Sequence, residues 1–150
     1  MATATLRPPK AKRRWTYDEM AAELPETNQP TELWDGELIM SPSPRPSHQR
    51  IVLRVARVIE DFADTDGVGE VFVSPLDVVL SSHHVVQPDV IFVANANASI
   101  VTETCLRGAP NLVVEVNSGT WRRDRVDTLY KLVTGPLPAE LKIKRAAAHA

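Results

Sequence analysis

Cysteine is nearly absent from this 150-residue chain, since Cys105 is its only one. A single cysteine excludes an internal disulfide and any zinc site built from several cysteines. Apolar runs are also short, and none approaches the ~18 residues that a membrane-spanning helix needs. The basic N-terminus is not followed by the apolar stretch of a secretory signal. These features predict a protein of a reducing interior such as the cytoplasm, with no membrane partner.

Lysine is missing between residues 13 and 130, although the net charge of the whole chain is only −2. Residues 15–120 carry sixteen acids and five arginines, whereas residues 1–14 hold five basic residues and no acid. An acidic middle repels a phosphate backbone unless metal ions or the basic ends offset its charge. We interpret 1–14 as a basic flexible arm, which either binds nucleic acid or simply keeps the chain soluble. For most of the acids, a solvated surface is the plain alternative.

Local signals predict the first half of a single α/β (α+β) domain. Thr16 and Glu19 have the spacing of a capping box for a short helix. Asp35-Gly36 lies between apolar residues, which predicts a hairpin over 32–40. A long helix is expected after Ser47, which is placed to cap it. The apolar stripe of that helix is expected to pack as core and comprises Ile51, Val52, Val55, Val58, Ile59 and Phe62.

Three strand-like runs follow the long helix, at 69–80, 85–94 and 112–116. The last two are nearly continuous apolar runs, as expected of strands that are covered on both faces. His83 and His84 fall at a predicted hairpin turn exposed to solvent. A second helix is predicted over 121–133. This order indicates a mixed sheet flanked by helices.

Two acids lie within apolar strand contexts. Asp89 stands between Gln87-Pro88 and Val90-Ile91, and Glu115 stands between Val114 and Val116. A carboxylate in a buried strand needs a partner, a metal ion or a proton. Two of them on neighbouring strands suit a hard divalent cation such as Mg²⁺. Each alone is equally compatible with a strand end that faces water.

The order of these motifs resembles the Uma-two family of restriction-endonuclease-like proteins, within the PD-(D/E)XK nuclease superfamily. The matching stretches are Glu32-Leu33-Trp34-Asp35-Gly36-Glu37-Leu38, Met40-Ser41-Pro42-Ser43-Pro44 with His48, Gln87-Pro88-Asp89-Val90, Val113-Val114-Glu115-Val116 and Arg122-Arg123-Asp124-Arg125. The resemblance covers about residues 15–132, which we take as a nuclease domain. It implies a restriction-endonuclease-like fold and a nuclease dependent on Mg²⁺ or Mn²⁺, with DNA as partner.

The resemblance also implies roles for individual residues. Asp89 and Glu115 would bind the metal ion. Glu37 fits the place of a further acid near the first hairpin better than Glu32, for which a salt bridge or hairpin pairing is the alternative. The superfamily's lysine position two residues after the second acid is Asn117 here, so Lys131 on the predicted second helix is the candidate cation. His48 is expected to orient phosphate or water, or merely to cap and pack.

The end of the sequence departs from the family pattern. The loop at 117–120 is one residue shorter and lacks a proline, and residues 133–150 form an atypical basic tail without the expected further strand. A missing C-terminal strand leaves an unpaired edge, which makes a homodimer an open alternative. We therefore expect weak metal binding and poor cleavage. The competing hypotheses are an impaired remnant that binds nucleic acid or protein, and a purely structural protein.

Overall fold

A computed structural model describes residues 13–25 and 29–116. The predicted helix over 121–133, the loop at 117–120, the basic tail, Lys131 and most of the basic arm lie outside the described residues. The described elements, in chain order, are α1 (Tyr17–Glu23), β1 (Thr31–Trp34), β2 (Glu37–Met40), α2 (Pro46–Asp66), β3 (Gly69–Val73), β4 (Val78–Ser81), β5 (His84–Val86), β6 (Val90–Ala94), a 3-10 helix (Asn95–Ile100), β7 (Leu106–Arg107) and β8 (Leu112–Val114).

The strands form two sheets. One has the order β2-β1-β5-β4-β7 and is mixed, because β4 and β7 run parallel while its other neighbours are antiparallel. The other is antiparallel, with the order β3-β6-β8. The predicted α+β class, with a mixed sheet and packed helices, is confirmed. No helix among the described residues is long and apolar enough to cross a membrane.

The two turn and cap predictions near the N-terminus are confirmed. Thr16 Oγ1 accepts the backbone N–H of Glu19, and the Glu19 side chain accepts the backbone N–H of Thr16, which completes the capping box of α1. Asp35 and Gly36 both have positive φ angles, 51° and 79°, and close the β1–β2 hairpin. Asp-Gly suits this turn because both central residues must enter the left-handed region.

Two of the three predicted strand runs are each divided in the structure. The run at 69–80 is interrupted after Val73, because Pro75 has no N–H to donate to a strand partner. The run at 85–94 is interrupted at Pro88, where the chain passes from the mixed sheet to the antiparallel one. This crossing leaves Asp89 immediately before β6. The third run is a single strand, which ends at Val114.

The long helix is present, but two details of its prediction were wrong. Its N-cap is Arg45 rather than Ser47, because the helix begins at Pro46, a residue suited to the first helical position. Ile51 and Val58 are 48% and 69% exposed rather than core. Val52 is buried as predicted, and the buried line continues through Ala56 and Ala63, whose small side chains let α2 lie closely against β3 and β6.

Strand β6 lies at the centre of the fold, with all five residues buried as predicted. Ile91 and Val93 pack against the mixed sheet, while Val90 and Phe92 pack under α2. On its other side the mixed sheet packs Leu33 and Val85 against α1. The layers are therefore α1, the mixed sheet, the antiparallel sheet and α2.

Candidate functional site

Asp89 and Glu115 lie at adjoining ends of two neighbouring strands of the antiparallel sheet, as the sequence predicts. Strands β6 and β8 are antiparallel and pair Val90 with Val114. Asp89 precedes the first of these residues and Glu115 follows the second, so the register that pairs the strands also brings the two acids together. The backbone N–H of Val116 donates to Asp89 Oδ2 at 2.7 Å, which holds the two strand ends in place.

His48 joins Asp89 from the first turn of α2. Its Nε2 lies 3.1 Å from Asp89 Oδ2, and both side chains are largely buried, at 16% and 15% exposure. A carboxylate can only accept, so Nε2 carries the proton and donates. This contact explains the position of His48 better than helix capping does, because Arg45 is the N-cap residue.

Burial raises the pKa of the Glu115 carboxyl to about 9, and the negative charges of Asp89 and then Glu32 add to that effect. This shift favours the protonated form of Glu115, whose carboxyl hydrogen bonds with Asp89. Glu115 lies in a buried position near other carboxylates, where its charged form is disfavoured. A cation that replaced this proton would be attracted by two carboxylates at once.

A third acid, Glu32 of β1, lines the same cleft. The resemblance favoured Glu37 over Glu32 as the further acid of the site. Glu32 is only 6% exposed. Its Oε1 accepts the backbone N–H of Gln87 and its Oε2 accepts Trp34 Nε1, both at 2.9 Å. Both hydrogen bonds hold the Glu32 side chain in place within the buried strand. Trp34 follows Glu32 by two residues, which places both side chains on the same face of β1. This spacing was the one sequence signal for the hydrogen bond between them.

The structure places Glu37 outside the cleft that holds the acid pair, so its contribution to the site stays a prediction. Glu37 is exposed at the turn end of the hairpin, opposite Trp34, and does not line the cleft described below. His83 and His84 also differ from expectation, since both are half-buried. His83 Nδ1 donates to the carbonyl of Trp15 at 2.8 Å, and His84 Nδ1 lies 3.1 Å from Ser81 Oγ. These contacts fasten the segment before α1 and the β4–β5 turn.

The three acids and His48 line one cleft of about 580 Å³. The cleft runs between the β2–α2 connector, α2 and the ends of β3 and β6. Gln87 also lines it; the amide nitrogen of its side chain donates to Asp77 at 2.7 Å. Arg45 is the cleft's only lysine or arginine among the described residues. Lys131 lies outside them, so its place relative to the site stays a prediction.

The donor atoms fit a hard divalent cation. Carboxylate oxygens are what Mg²⁺ and Mn²⁺ prefer, and Asp89 and Glu115 supply them side by side. Within residues 13–25 and 29–116, no three His, Cys, Asp or Glu side chains form a ready-made metal cluster. A two-carboxylate site of this kind is open, as is usual for Mg²⁺, which keeps several waters and often binds substrate phosphate.

Comparisons with known proteins agree with this fold. A crystal structure of a putative nuclease from Anabaena variabilis ATCC 29413 superposes with a TM-score of 0.65 at 20% sequence identity, covering 81% of this chain and 69% of that one. That likeness supports the fold. No curated protein matches the chain. The family model described as "Uma2: Putative restriction endonuclease" matches residues 16–133. This match spans most of the sequence, and the chain therefore belongs to the Uma2 family.

Proposed function

We propose that the chain is a metal-dependent nuclease that hydrolyses phosphodiester bonds in DNA, with Asp89 and Glu115 binding Mg²⁺ or Mn²⁺. The observation that carries the proposal is the meeting of these two acids at paired strand ends in one cleft. The raised pKa of Glu115, caused by burial and neighbouring charge, agrees with it. Membership of a family described as restriction endonucleases supports the same reaction class. Cytoplasmic DNA is the expected substrate.

Each acid of the site has a separate role in this proposal. Asp89 is oriented by the Val116 N–H and by His48, so one oxygen is fixed while the carboxylate stays at the cleft. Glu115 would lose its proton and supply a second carboxylate to a bound cation. Glu32 stays anchored by Gln87 and Trp34 and adds negative charge behind the pair. A bound divalent cation would polarise the phosphodiester and lower the pKa of the attacking water.

Cleavage also needs a positive group near the developing phosphate charge. We propose Lys131 for this role, with Arg45 as the arginine of the described cleft that could take it instead. The two are distinguishable by mutation. Lys131→Ala should lower the cleavage rate on the order of a hundredfold if lysine is the group, whereas Arg45→Ala should do so if arginine is.

The proposal is tested by plasmid nicking in Mg²⁺ and Mn²⁺. Asp89→Asn and Glu115→Gln keep side-chain size and remove ligand charge, so each should reduce nicking at least roughly a hundredfold. Glu60→Gln is the control, since Glu60 is an exposed acid of α2 outside the cleft. Nicking that survives both site variants, or that persists in excess chelator, would exclude this site.

A second candidate is a module that binds metal and nucleic acid without cleaving. It is favoured by the composition of the described residues, which include no lysine, and by the departures at 117–120 and 133–150. In that case metal titration detects binding that Asp89→Asn abolishes, while plasmid nicking stays at background.

A further inference from the structure

Exposed apolar side chains gather at the mouth of the cleft. The described residues have five large apolar side chains that are strongly exposed: Met40, Ile51, Leu53, Val58 and Val73. Three of them line the cleft that holds Asp89 and Glu115, namely Met40, Leu53 and Val73, at 64%, 71% and 47% exposure. We call these three residues the apolar lip. They come from β2, α2 and the end of β3, so three separate elements converge to form it.

Polar groups line the same cleft as the lip. Gln87 lines the same cleft, and its side-chain Oε1 is buried without a hydrogen-bond partner among the described residues. The cleft is also lined by Gln49, Ser41 and Ser74. Amides and hydroxyls of this kind hydrogen bond with the edges of nucleic-acid bases. Apolar side chains such as Met and Leu instead pack on base faces, as wedges do in bent DNA.

This arrangement suits a strand with exposed bases better than an intact duplex. The Asp89 side chain is only 15% exposed and lines the same cleft as the lip, so a phosphate that approaches it enters that cleft. A B-form duplex hides its base faces by stacking and would present charged sugar-phosphate to Met40 and Leu53. Desolvating phosphates against apolar side chains is unfavourable. An unpaired nucleotide would bury its base there, and about 580 Å³ is in the range of clefts that hold small organic ligands.

We infer that the apolar lip packs against an unpaired base, and that the chain acts on single-stranded or locally unpaired nucleic acid in preference to continuous duplex. This inference rests on the proposed function, because it assumes that the scissile phosphate lies at Asp89 and Glu115. We choose an unpaired base as the occupant because the lip and the acid pair line the same cleft. A second copy of the chain is the competing occupant, and the experiment separates the two.

The test measures binding of three oligonucleotides of one sequence that carry 2-aminopurine: a single strand, a duplex, and a duplex in which the 2-aminopurine is unpaired. Ca²⁺ replaces Mg²⁺ as a hard, oxygen-preferring cation. The single strand and the unpaired site should bind at least ~10-fold more tightly than the duplex, because contact with an exposed base is worth a factor of this order. Their 2-aminopurine fluorescence should change on binding.

Leu53→Gln and Val58→Gln form the matched pair. Both residues lie on α2 with almost equal exposure, 71% and 69%, but only Leu53 lines the cleft. Leu53→Gln should weaken binding of the single strand roughly fivefold, and Val58→Gln should leave it unchanged. Met40→Gln should act as Leu53→Gln does.

Equal affinity for single strand and duplex, or equal effects of the two α2 variants, would overturn the inference. So would a dimer in size-exclusion chromatography that Leu53→Gln converts to monomer, since the lip would then be the interface between two copies. If plasmid DNA is cleaved through Asp89 while unpaired DNA has no advantage, this inference alone fails. If no nucleic acid is bound or cleaved in any form, the proposed function fails with it.

Discussion

Val116 donates its backbone N–H to Oδ2 of Asp89 at 2.7 Å, so the residue next to Glu115 holds the other carboxylate of the candidate site. The same oxygen receives His48 Nε2 at 3.1 Å. The Asp89 carboxylate is thus positioned by strand pairing, by a backbone hydrogen bond and by a histidine. The site is assembled mainly by the backbone of β6 and β8, and its charge is balanced by a proton on Glu115.

Replacing Glu32 with glutamine should destabilise the fold. Both Glu32 oxygens accept hydrogen bonds, one from the Gln87 N–H and one from Trp34 Nε1. A glutamine amide has only one oxygen, so one of these donors would face an NH₂ group. The free energy of unfolding should fall by roughly 1–3 kcal/mol, as measured by urea denaturation. Glu60→Gln, at an exposed position of α2, should change it by less than ~0.5 kcal/mol, and equal effects would refute the buried role of Glu32.

Stability without divalent cation should fall as the pH rises through the neutral range. Burial raises the pKa of Glu115 from its ordinary 4.5 to about 9. Between these values the folded chain holds a proton on Glu115 that the unfolded chain has lost, so the free energy of unfolding decreases with pH. Thermal unfolding from pH 5 to pH 9 should show this slope, and Glu115→Gln should make it shallower. An unchanged slope in that variant would mean that Glu115 titrates normally.

The start of β3 should tolerate no side chain at Gly69. A Cβ added there would meet the carbonyl oxygen of Val93, and would lie 2.7 Å from the ring of Phe92. Because the oxygen belongs to the paired strand β6, neither atom can move away cheaply, and Gly69→Ala should cost roughly 1–3 kcal/mol. Gly67→Asn is the control, since Gly67 has open space around it and a φ of 59° that asparagine tolerates. Comparable losses in urea denaturation would contradict the close approach.

Features set by neighbouring residues were predictable from the sequence. The capping box of Thr16 and Glu19 and the Asp35-Gly36 turn depend on local backbone chemistry, and both are confirmed. The breaks at Pro75 and Pro88 could have been predicted too, because proline interrupts a strand wherever its N–H is needed. The apolar character of the runs outweighed that signal in the prediction.

The composition of the site was only partly predictable, because it depends on contacts between distant residues. The side chain of Glu32 is held in the cleft by the Gln87 N–H, which lies fifty-five residues later in the chain. The approach of His48 to Asp89 likewise joins α2 to a strand end forty-one residues later. Helical periodicity identified α2 but not the centre of its buried face. Close packing on β3 and β6 selected Ala56 and Ala63, which a count of large apolar residues overlooks.

The central claim is that Asp89 and Glu115 bind one divalent cation, and isothermal titration with Mg²⁺ and Mn²⁺ tests it most directly. The account predicts one site per chain, with release of a proton from Glu115 that appears as a dependence of the heat on the buffer. It also predicts that Asp89→Asn and Glu115→Gln abolish binding, while Glu60→Gln, outside the cleft, retains it. Absence of binding in the parent chain, or unchanged binding in Asp89→Asn, would contradict the account.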